Sequence, residues 1–592
     1  MIQSPALSTA STTSPAITAS NAEVGAALDE IADFLELDGA NPFRVRAYRN
    51  AARTVGGWPQ PLDTWRGAEH ALADLPGIGD DLAGKIEETL AAGSCKLLRE
   101  LRGSHPRGLT ALLKLPGLGP RRAQRLHDEL GIGSVGGLLR AARAGRIRTL
   151  KGFGKDTEHK LLEAAELSLG TTPRWKIVAA LQQAEAMAAY LGAAQEPAQV
   201  LLAGSLRRWR ETVGDIDVLV ATGKGLALTR RFLAYPLVQH VLAQGATRSS
   251  VVLRSGLQVD LRVVRPASVG AALVYFTGSK AHNLALRGLA RKRGLKINEY
   301  GVYRGARRVA GLTEASVYAC VGLPLIPPEL REDAGEIEAA AAGSLPALIE
   351  LKDLRGDLHS HTDASDGRAD LETMARAAAA AGLAYLAITD HSHGLAVTGG
   401  LDRRRLLAQA EAIDRFNQTH AGPVLLKGIE VDILEDGRLD LPDDLLGRLD
   451  LVVGAVHSHF NLSRERQTTR LLRAMDHRCF SILAHPTGRL IGERTGYAVD
   501  LERVVRHARE RGCFLEANAH PDRLDLDDVH CRLAKAAGVP LAIGSDAHDA
   551  AGFAALRFGV GQARRGWIEA KDVVNTLPLA ALKARLASTM RG

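Results

Sequence analysis

From Leu354 onward, short apolar runs such as LAYLAIT, DLVVGAV, SILAH and PLAIGS alternate with longer amphipathic segments. An apolar run of this length closed by polar residues reads as a buried strand. Repeated alternation with helix-length segments predicts a parallel α/β arrangement, here a barrel. The middle of the chain has another rhythm. It predicts a helix over about Val178–Leu191, a strand at Gln199–Leu202, and alternating strands around Asp215 and Asp260, which together make an α+β unit. The first 160 residues are helical in pattern and carry three related turns: LPGIG at Leu75–Gly79, LPGLG at Leu115–Gly119 and LKGFG at Leu150–Gly154. Joints are expected at Gly170–Pro173 and near Pro324–Ala334.

Three apolar-x-Gly-apolar-Gly turns ahead of amphipathic helices point to helix-hairpin-helix elements. In them the glycines Gly77 and Gly79, Gly117 and Gly119, and Gly152 and Gly154 let backbone N–H groups approach a nucleic-acid-type backbone phosphate without an intervening side chain. Charge supports this. The chain carries +8 overall, but residues 94–160 hold 15 Lys/Arg against 5 Asp/Glu and residues 201–308 hold 19 against 5. Two such excesses suit a polyanionic partner, because each cation set on a phosphate also releases a counterion. No run of about 18 uncharged apolar residues is present, which argues against a membrane span. Residues 1–20 are Ser/Thr/Ala-rich without an apolar core and read as a disordered tail. Five cysteines without a CxxC pair suit a reducing cytoplasm.

Within AGSLRRWRETVGDIDVLV, at Ala203–Val220, Asp215 and Asp217 lie two apart on an apolar strand and so share a face. Asp260 lies in LQVDLRVV on another strand. Three converging carboxylates suit two Mg²⁺ or Mn²⁺ ions, which would activate an attacking hydroxyl and stabilise departing pyrophosphate. Gly204, Ser205 and Arg208 would then bind a triphosphate.

Downstream, YFTGSKAHN at Tyr275–Asn283, then Arg287 and LKINEYG at Leu295–Gly301, make the chain resemble the family X DNA polymerases from about Asn21 to Leu330. The resemblance implies that Asp215, Asp217 and Asp260 are the metal-binding catalytic triad. It implies that Gly204, Ser205, Arg208 and Gly214 hold the phosphates of an incoming deoxynucleoside triphosphate. Tyr275 and Phe276, with Gly278, would pack beside its sugar, and Asn283 and Arg287 would reach the minor groove. Trp209 stands where this family usually has Gly, and a ring there is expected to narrow the triphosphate pocket or tilt Arg208. NPFRVRAYRNAA at Asn41–Ala52 is similar to the family's lyase domain. It sets Lys85 at the Schiff-base position, where a helix N-terminus would lower its pKa; the alternative is a surface lysine on a DNA-binding helix.

Thirteen of the 19 histidines lie in the last 240 residues. LRGDLHSHTDASDG gives His359, His361 and Asp366, and strand ends supply His391, Glu430, His457, His485, Asp546 and His548. This looks like the PHP phosphoesterase domain and matches it at all nine ligand positions. The resemblance implies up to three Mn²⁺ or Zn²⁺ ions that activate water against a phosphodiester.

The fold class expected is multidomain. It comprises a tail (1–20), a lyase-like helical domain (21–100), a second helix-hairpin-helix domain (101–173) and a nucleotidyltransferase palm (174–265). A thumb (266–330), a linker (331–352) and a PHP barrel (353–592) follow. The function implied is a monomeric, cytoplasmic repair polymerase that fills DNA gaps and trims 3′ ends as an exonuclease, with abasic-site cleavage as a further option. The alternatives are a metal-dependent nuclease to which the polymerase part delivers DNA, and a non-catalytic DNA scaffold.

Overall fold

The computed structural model describes residues 19, 21–58, 62, 65, 71–105, 108–113, 115, 118–170, 174–193, 198–394 and 398–590. The tail expected over 1–20 lies outside these residues apart from Ala19, as do Gly117 and most of the Gly170–Pro173 joint.

Helices Asn21–Leu37, Pro42–Gly57, Asp80–Ala92 and Lys96–Ser104 bury Leu28, Ile31, Val55, Ile86 and Leu98 in one core. A second helical core gathers Leu112, Leu126 and Leu138, with Pro120 opening one helix and a left-handed Gly131 closing it. Gly79, Gly119 and Gly154 each stand immediately before a helix, and a side chain at any of them would meet nothing within 4 Å.

The palm is a five-stranded sheet. Asp215–Ala221 pairs in parallel with Gln258–Val264 and antiparallel with Gln199–Leu202, and Arg248–Leu253 and Val238–Ala243 complete it. Helix Ile177–Gly192 covers it with Val178, Ala180, Ala184 and Met187. The palm core also takes in Phe558, Ala555, Leu524 and Ile491 from the C-terminal domain, so the two domains share buried apolar surface.

In the C-terminal domain, strands Gly356–Asp357, Tyr385–Ile388 and Val424–Lys427 run parallel, as do Glu430–Asp432, Val453–Ala455, Ile482–Leu483, Phe514–Asn518 and Leu541–Gly544. A bend at Gly428 joins the two runs, and a Ser360–Ala547 bridge closes the ring. Gly428 is forced by space, since a Cβ there would sit 2.8 Å from the Thr389 side chain and 2.9 Å from the Ile388 carbonyl. The strands are apolar on both faces because helices cover the outside and side chains fill the inside.

One expectation needs correction. Residues 331–352 do not form a linker. Arg331 is fully buried and meets Glu314 at 2.7 Å, and helix Glu336–Ala341 adds Ile337 and Ala340 to the thumb core. The acidic, Ala-rich composition that suggested a solvated spacer is spent on buried polar bonds. Glu336, with no exposed surface, lies 2.6 Å from Nδ1 of the equally buried His282 and accepts from the backbone N–H groups of Asp333 and Ala334. Tyr318 Oη meets the other ring nitrogen at 2.8 Å. Replacing Glu336 by Ala leaves the fully buried His282 Nδ1 without its partner and frees the N–H groups of Asp333 and Ala334. We expect a loss of roughly 3 kcal/mol in urea unfolding of the full chain. A change below about 0.5 kcal/mol would assign the segment a spacer role after all.

Two candidate active sites

In the palm, Asp217 stands in register with Asp260 across the parallel pair, and Asp215 shares their face two residues earlier. Burial, followed by repulsion from Asp215 and Asp260, pushes Asp217 up to about 7. Burial and Asp260 raise Asp215 as well. Asp260 is held by Gln258 Nε2 at 2.9 Å and Arg262 Nη2 at 3.1 Å, with Arg248 at 3.7 Å. Arg262 in turn lies over the Phe276 ring, 5.0 Å from its centroid. Mutually raised carboxylates of this kind fit hard divalent cations, which would relieve the repulsion.

Gly204 brings the loop that follows strand Gln199–Leu202 against this face. Its φ is +66°, and a Cβ would lie 2.4 Å from Asp217 Oδ2, so no other residue fits. Ser205, Arg208 and Gly214 line one pocket of about 480 Å³ with Arg174, Arg210, Asp215 and Glu332. Glu332 accepts from Arg208 Nε at 3.0 Å, and Thr277 O accepts from Arg208 Nη1. Gly278 has φ +69°, with Arg208 Nη1 3.2 Å from where its Cβ would be. Tyr275 is 36% exposed and packs edge-on to Phe276, with centroids 5.1 Å apart. Asn283 donates to the Tyr275 carbonyl at 2.7 Å. Arg287, one turn further along helix Lys280–Lys292, is exposed on the same face.

Two expectations fail here. Trp209 does not narrow the pocket, because its ring leans onto the C-terminal domain, 6.1 Å from the Phe558 ring in an edge-to-face pose. Its φ of 56° is the left-handed conformation that favours Gly, held at a cost of about 1–3 kcal/mol. Lys85 does not have a lowered pKa either. Burial alone would depress it, but Asp81 one turn earlier accepts from Nζ, and with Tyr48 it raises the ammonium above its usual value. A lysine held charged is a poor Schiff-base nucleophile.

In the barrel, all nine expected ligands converge, with Glu430 at the hub. Its carboxylate lies 2.9 Å from His391, 3.0 Å from His485, 3.4 Å from His457, 3.5 Å from His359 and 3.6 Å from His361. Asp546 meets His361 at 3.2 Å, and Asp366 lies 3.5 Å from both His391 and His548. Three overlapping groups have ligand atoms all within 4.8 Å of one another: His361, Asp366, His391 and His548; His359, His361 and Asp546; and His391, Glu430 and His457. His359 Nε2, both His361 ring nitrogens and Glu430 Oε2 are buried without a hydrogen-bond partner. Orphaned donor atoms of this chemistry fit transition-metal cations.

Burial and the neighbouring His548 and His391 drive His361 down to about 4. Burial also opposes the charge on His391, yet Glu430 and Asp366 raise it to about 10. Two of the expected ligands carry left-handed backbone, His485 at φ 28° and Asp546 at φ 56°, a strain typical of functional sites.

Sequence reasoning missed the groups that aim these ligands. Buried Glu516 meets His359 Nδ1 at 2.7 Å and accepts from the His485 N–H at 2.7 Å, and Asp432 meets His457 Nδ1 at 2.7 Å. Their only signal was a carboxylate inside an apolar strand. It also missed the mouth of the site. The cleft beside His548 and Asp546, about 480 Å³, is walled by Arg523 and His520 and by Asn50, Arg53, Pro76 and Gly77 of the first helical domain. Arg368 Nη1 donates to the Asp74 carbonyl across this junction at 3.1 Å. The first helix-hairpin-helix turn therefore borders the barrel centre. His393 and His459, half exposed, belong to neither cluster.

Against known proteins, residues 19–95 match a helix-hairpin-helix domain, 109–166 a SAM-like helix-hairpin-helix tandem, 272–332 a DNA polymerase beta thumb and 357–520 a PHP domain. The chain is 39% identical over 563 residues to the DNA polymerase/3′-5′ exonuclease PolX of Bacillus subtilis (strain 168), across 94% of this chain and 98% of that protein. A probable phosphatase of Caldanaerobacter subterraneus is 34% identical over 204 residues, covering 32% of this chain and 75% of its own length. DNA polymerase lambda of Rattus norvegicus is 25% identical over 325 residues, 49% of this chain and 52% of its own. Among the described residues, no helix is long and apolar enough to cross a membrane. With two helix-hairpin-helix units, a beta-type thumb and a PHP barrel aligned end to end with PolX, the chain belongs to the family X DNA polymerases that carry a C-terminal PHP domain.

Proposed function

We propose that the chain is a DNA-directed DNA polymerase that fills gaps during DNA repair and carries a metal-dependent 3′→5′ exonuclease in its barrel. The observation that carries this reading is the register Asp217–Asp260 beside an arginine-lined pocket, in a chain similar over 94% of its length to a polymerase with that second activity.

Asp215, Asp217 and Asp260 would hold Mg²⁺ or Mn²⁺, and His359, His361, Asp366, His391, Glu430, His457, His485, Asp546 and His548 would hold up to three Mn²⁺ or Zn²⁺ ions. When bound, these ions supply Lewis acidity toward phosphoryl oxygens and lower the pKa of the attacking group. The chain's own residues do the rest. Arg174, Arg208, Arg210 and Ser205 line the pocket, where they would meet a triphosphate, and the edge-on pair Tyr275 and Phe276 would border its sugar. Glu516 and Asp432 fix the imidazoles of His359 and His457. The glycine turns and the basic second helical domain would grip DNA backbone on either side of a gap. Five free thiols suit a reducing cytoplasm.

Primer extension on gapped DNA tests the reading. In Asp217→Ala we expect extension to fall at least about a hundredfold while 3′ degradation persists. Degradation without extension in the parent chain would instead favour a nuclease to which the polymerase part delivers DNA, and neither activity a scaffold. The barrel half has its own readout. Glu430→Gln removes the charge that five imidazoles share, so bound Mn²⁺ or Zn²⁺, measured by elemental analysis, should drop along with degradation, while extension survives. Unchanged metal content would displace Glu430 from the hub.

A further inference from the structure

The barrel reaches into the palm at the loop that borders the triphosphate pocket. Barrel helix Leu556–Arg565 presents one face to this loop. Gly561 leaves room for the Trp209 ring, since a Cβ there would stand 2.5 Å from Trp209 Cε3. Phe558, fully buried, meets the ring edge-on. Gln562 Nε2 donates to the Trp209 carbonyl at 2.9 Å, and Arg565 Nη1 donates to the Arg208 carbonyl at 2.9 Å. The same Arg565 nitrogen lies 3.0 Å from Glu332 Oε1, the oxygen that also accepts from Arg208 Nε. Arg565 is held in turn by Asp528 Oδ2 at 2.5 Å, and its side chain is 2% exposed.

Arg208 is thereby fixed twice by the barrel, through its own carbonyl and through the carboxylate it shares. Its Nε is committed to Glu332 and its Nη1 to Thr277 O, which leaves Nη2 without a hydrogen bond among the described residues. A guanidinium recognises phosphate oxygens through the placement of its planar fork, so a small rotation costs affinity without altering the carboxylates that do chemistry.

We propose that Arg565, seated through the Trp209–Gly561 contact, is a positioning residue for the incoming nucleotide, so that the PHP barrel completes the polymerase's triphosphate site. The proposal rests on the reading of the palm as a nucleotide site. It also gives a role to the Trp that departs from the family's Gly: the residue exchanges backbone ease for an anchor on the barrel.

The test uses the full chain, with steady-state gap filling, equilibrium binding of dATP with Mg²⁺, and 3′ degradation measured side by side. In Arg565→Gln the KM for dNTP and the Kd for dATP should rise about tenfold, with kcat changed less than about twofold and degradation unchanged. Arg565→Lys, which keeps the charge and loses the fork, should fall between Gln and the parent. Unaltered KM and Kd in an Arg565→Gln chain that still degrades DNA would overturn the proposal. Should that variant lose degradation as well, the barrel has not folded and Gln562→Ala decides, where a rise of about threefold supports the coupling and none refutes it. A parent chain that binds dATP but never extends a primer would sink the polymerase reading, and the Kd comparison would still judge the positioning role.

Discussion

Acidic oxygens packed together under cover repel one another, and each cluster in this protein is organised by whatever cation answers that repulsion. In the palm, burial and two neighbouring carboxylates hold Asp217 near neutrality, and Arg262 neutralises Asp260. In the barrel, burial opposes the charge on Glu430, but His391, His359 and His457 hold its carboxyl well below the usual range, and Glu516 and Asp432 position His359 and His457 in turn. Between the two centres, Glu332 is shared by Arg208 and Arg565. Divalent ions would take over part of this work in the first two places; in the barrel the donor atoms lie within 4.8 Å of one another in three groups, and several lack a hydrogen bond.

The domains are joined by the same kinds of contact that fill their interiors. Phe558, Leu524 and Ile491 complete the palm core, and Lys176 crosses to Asp522 at 2.5 Å and Glu493 at 3.3 Å. Helix Ile177–Gly192 reaches the first helical domain, where Gln182 donates to the Trp58 carbonyl at 2.5 Å. The first helix-hairpin-helix turn then lies against the barrel mouth. Relative motion of the two centres would have to break buried apolar and charged contacts at once.

The sequence made local chemistry legible wherever its spacing matches a structural period. Asp215 and Asp217 share a face because strands repeat every two residues, and most of the expected barrel ligands stand out because they close apolar runs. What escaped was the identity of partners distant in the chain. Nothing around Trp209 says that Gly561, far along the chain, lies beneath its ring. The direction of the Lys85 shift turned on one carboxylate a helical turn earlier, whose reach cannot be read from a motif. The stretch 331–352 misled because Glu and Ala suit both a solvated spacer and a helix, and the partners that decide between them, His282 and Glu314, lie elsewhere in the chain.

Anomalous diffraction from crystals of the full chain soaked in Mn²⁺ with an unreactive dNTP analogue reads the central electrostatic claim most directly. Manganese peaks are expected between Asp217 and Asp260, with the Arg262 contact to Asp260 loosened, and at the three ligand groups around Glu430. A palm with nucleotide bound but no peak beside its carboxylates, or a barrel whose imidazoles keep their positions with no metal among them, would contradict it.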